Sequence, residues 1–244
     1  MKQSDFYNEL LDRFNTLVEN HHLAKEVITV SGKVLNPEEA IGNPIRKDFP
    51  ILKGKEKLME ADFKGQKGQA YTDMPDNFNG TIEEILSQPL ETNYDRAVLI
   101  STINAVCKYL NITEKTIHCK DDEPEQCSKE LAGYIKDNYG SPKIALIGLQ
   151  PSMLQVLSDK YQIRAVDLDK DNIGTTKFGV NIEDGEKHTD DVLKWCDLIL
   201  STGSTIVNGS IVNFITHKPT IFYGTSIAGS AALMNLNHFC ECSR

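Results

Sequence analysis

The feature that most constrains the fold of this chain is a regular alternation of apolar runs and helical segments from Lys143 onward. Short strands are predicted at KIALIG, QIRAVDLD, FGVNI, DLILS and TIFYG. Helices are predicted between or after them, following Pro151, through Val192, and following Thr205 and Ser226. Short apolar strands that alternate with helices indicate a parallel sheet covered on both faces. Residues 141–244 are therefore predicted to form a Rossmann-like parallel-sheet domain.

Residues 1–140 have a different pattern, which predicts an α+β domain. A first helix is expected from an N-cap at Ser4, followed by a strand over residues 26–35. Residues 41–75 are rich in Gly, Pro and Lys, and we predict loops with short strands there. Further helices are predicted from their end signals: a capping box at Thr81 and Glu84, an N-cap at Asn93, and Pro124 in the first turn of a helix that ends at Gly140.

The composition is that of a globular protein rather than of a membrane or nucleic-acid-binding one. Hydrophobic residues make up 40% of the 244 residues, and the net charge is −9. No apolar run approaches the roughly 20 residues that a membrane helix needs. Acidic residues such as Asp5 and Glu9 lie where a signal peptide would be apolar. The chain is therefore expected to be cytoplasmic, with reduced cysteines and without membrane or nucleic-acid partners.

Three loops follow predicted parallel strands and contain glycine together with hydroxyl or amide side chains. In an open parallel sheet, ligands bind at the carboxyl edge, where helix N-termini present unpaired N–H groups. Glycine lets the backbone approach a ligand closely, and the polar side chains supply donors that can be oriented. We predict ligand-binding residues in these loops at Gly148, Gln150, Thr202, Gly203, Ser204, Gly224 and Thr225.

An acidic loop follows the second predicted strand of the sheet. Asp167 lies where a carboxylate grips the ribose hydroxyls in nucleotide-binding domains, and Asp169 and Asn172 follow it. The glycine fingerprint of dinucleotide sites is absent, because Gln150-Pro151 occupies the place of its glycines. Two interpretations stay open: a nucleotide-like ligand held by Asp167, or aspartates that cap the local structure.

A second group of residues carries metal-ligand chemistry. Thiol, imidazole and carboxylate side chains lie close together in residues 118–127. In the C-terminal tail, His238, Cys240 and Cys242 occupy alternate positions, so an extended chain would place them on one face. Such ligand types could chelate a transition or heavy metal. The competing interpretation is structural, because acids favour a helix start and cysteines often complete a core. The predicted metal ligands are His118, Cys119, Asp121, Glu123, Cys127 and Cys240.

Several runs together resemble the putative heavy-metal chelation family: GKEKLMEADFKGQKGQAYTDMP, HCKDDEPEQC, KIALIGLQPSML, VDLDKDNIG, STGSTIVNGSI and IFYGTSIAGSAALMNLNHFC. The resemblance covers most of the chain from about Gly54 onward. It implies an enolase N-terminal-like α+β domain packed on a Rossmann-like domain, with a site in the cleft between them. It implies cleft residues at Gly148, Gln150, Asp167, Asp169, Thr202 to Ser204, Asn208 and Tyr223 to Thr225.

These observations support three hypotheses from different classes. The first is a cytoplasmic protein that binds a metal, or an anionic metal-bearing small molecule, between the two domains. The second is an enzyme that acts on a nucleotide-like or pterin-like small molecule at the strand ends. The third is a homo-oligomeric subunit that works by association. The sequence assigns no reaction, and the cofactor it suggests is a transition or heavy metal ion.

Overall fold

The computed structural model describes residues 2–32, 39, 42–49 and 57–244. Two sheets organise this part of the chain, a four-stranded antiparallel sheet and a seven-stranded, mostly parallel one. The helices that accompany them are α1 (Gln3–Asn20), α2 (Ile82–Leu86), α3 (Asn93–Tyr109), α4 (Glu123–Tyr139), α5 (Pro151–Ser158), α6 (Gly185–Trp195), α7 (Thr205–Asn208) and α8 (Ala228–Met234). None of the helices in the described ranges combines the length and apolarity needed to span a bilayer.

The antiparallel sheet contains β1 (Val27–Ser31), β2 (Lys57–Phe63), β3 (Gln66–Thr72) and β4 (Phe78–Thr81), in the order β3-β2-β1-β4. The strands β2 and β3 form a hairpin around Lys64 and Gly65, which have φ of 52° and 81°. A two-residue turn with positive φ at both positions matches the right-handed twist of the strands. The prediction of loops with short strands over residues 41–75 therefore gave too little strand for residues 57–72, which form two seven-residue strands.

The parallel sheet contains β5 (Ile144–Ile147), β6 (Ile163–Asp167), β7 (Thr176–Lys177), β8 (Val180–Asp184), β9 (Leu198–Thr202), β10 (Thr220–Tyr223) and β11 (His238–Phe239). Their order is β11-β10-β9-β5-β6-β8-β7, and β7 pairs antiparallel at the edge. The four residues of β5 are fully buried, as expected for a strand covered on both faces. The predicted α/β class is confirmed. Strands β6 and β8 lie on one side of β5, whereas β9 and β10 lie on the other, so the strand order changes direction between β5 and β9.

Helix α3 lies between the antiparallel sheet and the helices of the parallel-sheet unit. Residues 96–107 are buried without interruption, because α3 packs against β2 and β3 as well as α7 and α8. Its N-cap is Thr92 rather than the predicted Asn93: the Thr92 hydroxyl accepts a hydrogen bond from Asp95 N, and the Asp95 carboxylate accepts one from Thr92 N. The capping box T-x-x-D was visible in the sequence but was placed one residue late.

The other helix ends follow the sequence signals to different degrees. The capping box at Thr81 and Glu84 is confirmed, with both reciprocal bonds present at the start of α2. Helix α1 begins at Gln3, and Ser4 is not its N-cap, because the Ser4 hydroxyl donates to the neighbouring Asp5 carboxylate. The predicted strand over residues 26–35 is observed as β1, and residues 33–35 lie outside the described residues.

Helix α4 precedes the predicted boundary at residue 140 but packs on the parallel sheet. Its buried residues Leu131 and Ile135 belong to one core cluster with Leu146 of β5 and Leu157 of α5. The first turn contains Pro124, and Gly140 follows its last residue with a φ of 71°. The division into residues 1–140 and 141–244 stays a prediction, and the packing of α4 shows how closely the two parts are joined.

Candidate functional site

A cleft of about 780 Å³ lies at the carboxyl edge of the parallel sheet. Its walls come from the turns after β5, β6, β9 and β10, and from residues after β3 and before α4. Every ligand-binding residue predicted from the sequence lines this cleft: Gly148, Gln150, Asp167, Asp169, Asn172, Thr202, Gly203, Ser204, Asn208, Tyr223, Gly224 and Thr225. The topology explains this convergence, because carboxyl ends of parallel strands share one edge of the sheet.

The turn after β5 requires glycine at its first position. Gly148 has a φ of 83°, and a Cβ atom there would lie 2.7 Å from Thr202 Cγ2. The Tyr223 hydroxyl donates a hydrogen bond to Gly148 O at 2.8 Å, which ties this turn to β10. The Gln150 side chain caps α5, because its Oε1 accepts from Met153 N at 2.6 Å. Two predicted binding residues thus also shape the turn that contains them.

Asp167 connects two of the turns that form the wall. Its Oδ2 accepts a hydrogen bond from Leu149 N at 2.9 Å, and its Oδ1 accepts one from Asp169 N at 2.7 Å. Each carboxylate oxygen therefore holds backbone, which is the structural role that the sequence analysis kept as an alternative. Asn172 is buried beside it, with Nδ2 3.5 Å from Asp167 Oδ2.

The turns after β9 and β10 pack directly on each other. Gly203 N donates to Tyr223 O at 2.7 Å, and a Cβ atom on Gly203 would lie 2.9 Å from Ile227 Cγ2. Thr205 Oγ1 donates back to Thr202 O at 2.7 Å, and Thr202 Oγ1 lies 3.1 Å from Ser204 Oγ. The close approach of these backbones explains the glycine at position 203.

One buried polar group of the cleft, the Thr225 hydroxyl, has no partner among the described residues. The side chain of Thr225 is 1% exposed, and its Oγ1 makes no hydrogen bond within the described part of the chain. A buried hydroxyl left without a partner costs about 1–3 kcal/mol. Because Thr225 is among the residues that line the cleft, a ligand or an ordered water is the candidate partner for this hydroxyl.

The lining residues give the cleft an acidic character. Six carboxylates are among them: Asp73, Asp121, Asp167, Asp169, Glu186 and Asp190. The lining also contains Lys187, whose ammonium group is 2.7 Å from Asp184 and so is already paired. A ligand with a positive charge therefore complements these walls better than a purely anionic one.

The segment before α4 contributes an imidazole to the cleft. The ring of His118 meets the ring of Tyr71 edge to face, with centroids 5.8 Å apart. His118 Nδ1 lies 2.5 Å from Cys119 O. Because a carbonyl oxygen only accepts, the proton sits on Nδ1 and leaves a lone pair on Nε2. Burial lowers the pKa of His118, so the ring is held neutral.

The predicted metal ligands are only partly brought together. His118, Cys119, Asp121, Cys127 and Cys240 line the cleft, whereas Glu123 does not. The Glu123 carboxylate instead accepts from Lys120 N and pairs with the Arg244 guanidinium. In the ranges that the structure describes, no three His, Cys, Asp or Glu side chains are arranged to hold a metal ion. The metal role of these residues stays a prediction, without a preformed cage.

The sequence analysis did not single out several lining residues. Tyr71 and Asp73 lie at the end of β3, and Glu186 and Asp190 lie in α6. Tyr71 and Asp73 occur in the run GQAYTDMP, which contributed to the family resemblance, but neither has a local motif of its own. Their position follows from the packing of one sheet beside the other, which no spacing along the chain reveals.

Comparisons with known proteins agree with this architecture. Residues 135–234 match the model of the DUF364 family, described as putative heavy-metal chelation. No curated protein matches the chain. A solved structure from Pyrococcus horikoshii, a DUF364 protein with unknown function, is similar over 89% of this chain and 79% of its own, with 15% identity and a TM-score of 0.50. At this identity the likeness supports the fold alone.

A second solved structure, a DUF364 protein with unknown function from Desulfitobacterium hafniense, is similar over 73% of this chain and 72% of its own. It has 9% identity and a TM-score of 0.48. The match of residues 135–234 is the comparison that bears on the family. It confirms the resemblance found in the sequence: this part of the chain is similar to the putative heavy-metal chelation family, within a mixed α/β fold that a DUF364 structure shares.

Proposed function

We propose that this protein binds a metal-bearing small molecule in the cleft at the carboxyl edge of the parallel sheet. The observation that carries the proposal is the convergence of all twelve predicted strand-end residues on one cavity of about 780 Å³. Ligand pockets for small molecules have volumes of about 300–1,000 Å³. A bare ion with its ligands at about 2 Å needs far less space than this, so the volume favours a molecule.

The charges and ligand geometry support the same choice. Six lining carboxylates favour a cationic group, and a bound metal can supply it. The described residues form no three-ligand metal cage, so a metal in this cleft would need most of its ligands from the molecule that carries it. This revises the first hypothesis of the sequence analysis, which included an anionic metal-bearing molecule.

Two lining groups suit polar recognition of such a molecule. The Thr225 hydroxyl has no partner in the part of the chain that the structure describes, and the unprotonated Nε2 of His118 can accept a hydrogen bond. The Tyr71 ring, which also lines the cleft, offers an apolar face to a planar part of the ligand.

Native mass spectrometry of the protein purified without an affinity tag, paired with elemental analysis, tests the proposal. We expect a bound mass that contains a metal and exceeds the mass of an ion alone. Thr225→Val should raise the Kd for the ligand by about tenfold, and so lower its occupancy, since one hydrogen bond to a ligand contributes about 1.4 kcal/mol. Thr16→Val, at an exposed position on α1, is the matched control and should leave occupancy unchanged.

Two results would contradict the proposal. One is a metal bound without any accompanying molecule, at the same occupancy in the wild type and in Thr225→Val. The other is a metal-free small molecule bound in the cleft.

The alternative of an enzyme for nucleotide-like substrates receives no comparable support. It was motivated by Asp167 at the position of a ribose ligand, and both oxygens of that carboxylate accept backbone hydrogen bonds. Stabilisation of the protein by a nucleotide or a pterin in a thermal-shift screen would support this alternative. A ligand at 100 times its Kd stabilises a protein by about 2.7 kcal/mol.

A further inference from the structure

The imidazole of His118 is held in one position by three kinds of contact. The backbone N of His118 donates to Gln69 Oε1 at 2.8 Å, and Gln69 N donates to Thr116 O at 3.0 Å. The ring of Tyr71 meets the imidazole edge to face, with an interplanar angle of 86°. The Nδ1 atom of the imidazole lies 2.5 Å from Cys119 O. Neighbouring residues therefore set the backbone position, the ring plane and the tautomer of His118.

Gln69 connects this histidine to the buried interior of the molecule. Gln69 is 3% exposed, its Nε2 donates to the Glu60 carboxylate at 2.8 Å, and its backbone O accepts from Asn104 Nδ2 at 2.8 Å. A displacement of His118 would therefore break buried hydrogen bonds. Histidines that bind metals are typically supported in this way, and they donate their second ring N–H to a carboxylate or a backbone carbonyl.

The second ring nitrogen of His118 differs from that of His238, the other half-buried histidine. His238 Nε2 lies 2.9 Å from Gly224 O, and His238 does not line the cleft. The Nε2 of His118 has no hydrogen-bond partner in the described part of the chain. It is also not enclosed, because the fully buried side-chain atoms without a partner belong to other residues. All six histidines lie in the described ranges, and only His118 lines the cleft.

An oriented imidazole with an available lone pair suits a transition metal. Zinc, copper, iron and nickel bind imidazole well, whereas magnesium and calcium prefer oxygen ligands. Among the residues that the structure describes, no group of three metal-ligating side chains is present. His118 can therefore contribute one donor to a metal in the cleft, and the molecule that carries the metal has to contribute most of the others.

We propose that His118 Nε2 binds directly to the metal of the molecule held in the cleft. This inference rests on the proposed function, because the metal arrives with that molecule. Binding exchanges one ligand: the bond from the metal to a water molecule breaks, a bond to Nε2 forms, and the water leaves without a change in oxidation state. The substrate class is thus a transition-metal chelate with an exchangeable coordination position. A chelate whose carrier fills every position does not bind in this way.

A matched pair of ruthenium complexes tests whether Nε2 is available as a ligand. Pentaammineaquaruthenium(II) and hexaammineruthenium(II) are dications of similar size, but only the first has an exchangeable position. Both carry the charge that the carboxylates of the cleft favour. Reduced wild-type protein is treated with each complex without oxygen and analysed by peptide mapping. The aqua complex should attach a label to His118 and none to His238, and the hexaammine complex should label neither residue.

The exposed histidines give an internal reference for this experiment. His21 and His217 are exposed, so the aqua complex should label them whatever the state of the cleft. Labelling of these residues without His118 would overturn the proposal, and so would equal labelling of His118 and His238. A label on Cys119 in place of His118 would also overturn it. The map of the wild type decides the outcome, so the result does not depend on whether a variant folds.

A second experiment uses the protein with the molecule that it carries when purified. X-ray absorption at the edge of the bound metal should show scattering from an imidazole ligand. His118→Gln should abolish this signal and raise the Kd for the molecule by about tenfold or more, because the loss of even a supporting contact to a metal ligand costs about 10–100-fold in metal affinity. His21→Gln, at an exposed position after α1, is the matched control and should change neither.

The X-ray absorption result separates this inference from the proposed function. A bound metal-bearing molecule without imidazole scattering would overturn the inference and leave the proposed function standing. The same spectrum in His118→Gln as in the wild type would have the same consequence. A metal-free molecule in the cleft would contradict both.

Discussion

Residues 1–140 meet the parallel-sheet unit in two regions, the interface around α3 and the cleft, which differ in whether their polar groups are paired. Around α3 the interface is filled: Asn104 is fully buried and donates to Gln69 O, Thr225 O and Ser226 O, while its Oδ1 accepts from Gly229 N. In the cleft, polar groups also converge, but about 780 Å³ of space separates the walls. The Thr225 hydroxyl there has no partner within the described residues.

The difference shows which contacts hold the two parts together and which are available for binding. Asn104 joins β3 to the turn after β10 and to the start of α8, so a single amide fixes the relative position of three elements. The backbone carbonyl of Thr225 accepts a hydrogen bond from this amide, and Thr225 is also among the residues that line the cleft. Thr225 therefore belongs to both regions, and the packed interface around α3 positions this part of the cleft wall.

The largest expected effect comes from removing the amide that joins the three elements. Asn104→Ala should lower the free energy of unfolding by about 4 kcal/mol, because it leaves several buried backbone groups without partners at about 1–3 kcal/mol each. Urea denaturation measures the change. Asn138→Ala, an exposed position on α4 whose side chain donates to Tyr134 O, is the control and should shift stability by less than about 0.5 kcal/mol. Equal effects of the two changes would show that the interface does not depend on Asn104.

A smaller effect is expected from a methyl group placed in the filled interface. A Cβ atom on Gly68 of β3 would lie 2.2 Å from Ala105 N and 2.4 Å from Ser101 O of α3. Gly68→Ala should therefore destabilise the protein by about 3 kcal/mol, since the backbones must move apart.

The matched change for Gly68→Ala is Gly133→Ala in α4, where a Cβ atom would meet no described residue within 4 Å. Because alanine is the better helix former, this change should raise stability by up to about 1 kcal/mol. Thermal unfolding of both variants measures the pair. A neutral Gly68→Ala would mean that the approach of β3 to α3 is not tight.

The smallest effect concerns protonation at the edge of the cleft. Burial lowers the pKa of His118, so below about pH 6.5 the unfolded chain binds a proton that the folded chain does not. Stability from this residue is therefore complete above that pH and is lost as the pH falls, by at most about 1.4 kcal/mol per pH unit.

We expect His118→Gln to flatten the fall in stability between pH 7 and pH 5, measured by urea denaturation at each pH. His21→Gln, at an exposed position after α1, should leave the slope of the wild type unchanged. An unaltered slope in His118→Gln would show that the ring is solvated in the cleft rather than held neutral by burial.

The sequence predicted the parallel sheet well because its signals are local. Five short apolar runs alternating with helical segments have few alternative arrangements, and all five correspond to strands of one sheet. The three glycine-containing turns were predicted for the same reason. Parallel strands end at one edge of the sheet, so Gly148, Gly203 and Gly224 lie near one another and line the cleft there.

Prediction was weaker where the structure depends on partners distant in sequence. The hairpin of β2 and β3 was predicted only as loops with short strands, because charged residues obscure the alternation, although Lys64-Gly65 forms a regular two-residue turn. The predicted metal ligands were chosen because their side chains carry atoms that bind metals. Spacing along the chain could not show that the Glu123 carboxylate accepts from Lys120 N and pairs with Arg244.

The sequence by itself determined the α/β class, the strand ends that line the cleft, and the similarity of residues 135–234 to the putative heavy-metal chelation family. Only the tertiary structure decided the volume and charge of the cleft, the buried Thr225 hydroxyl that has no partner among the described residues, and the convergence of Cys119, Cys127 and Cys240 on the cleft wall. The physical reason is range. Hydrogen bonding and side-chain alternation within an element act over a few residues, whereas a cavity is the space left when distant elements pack without filling it.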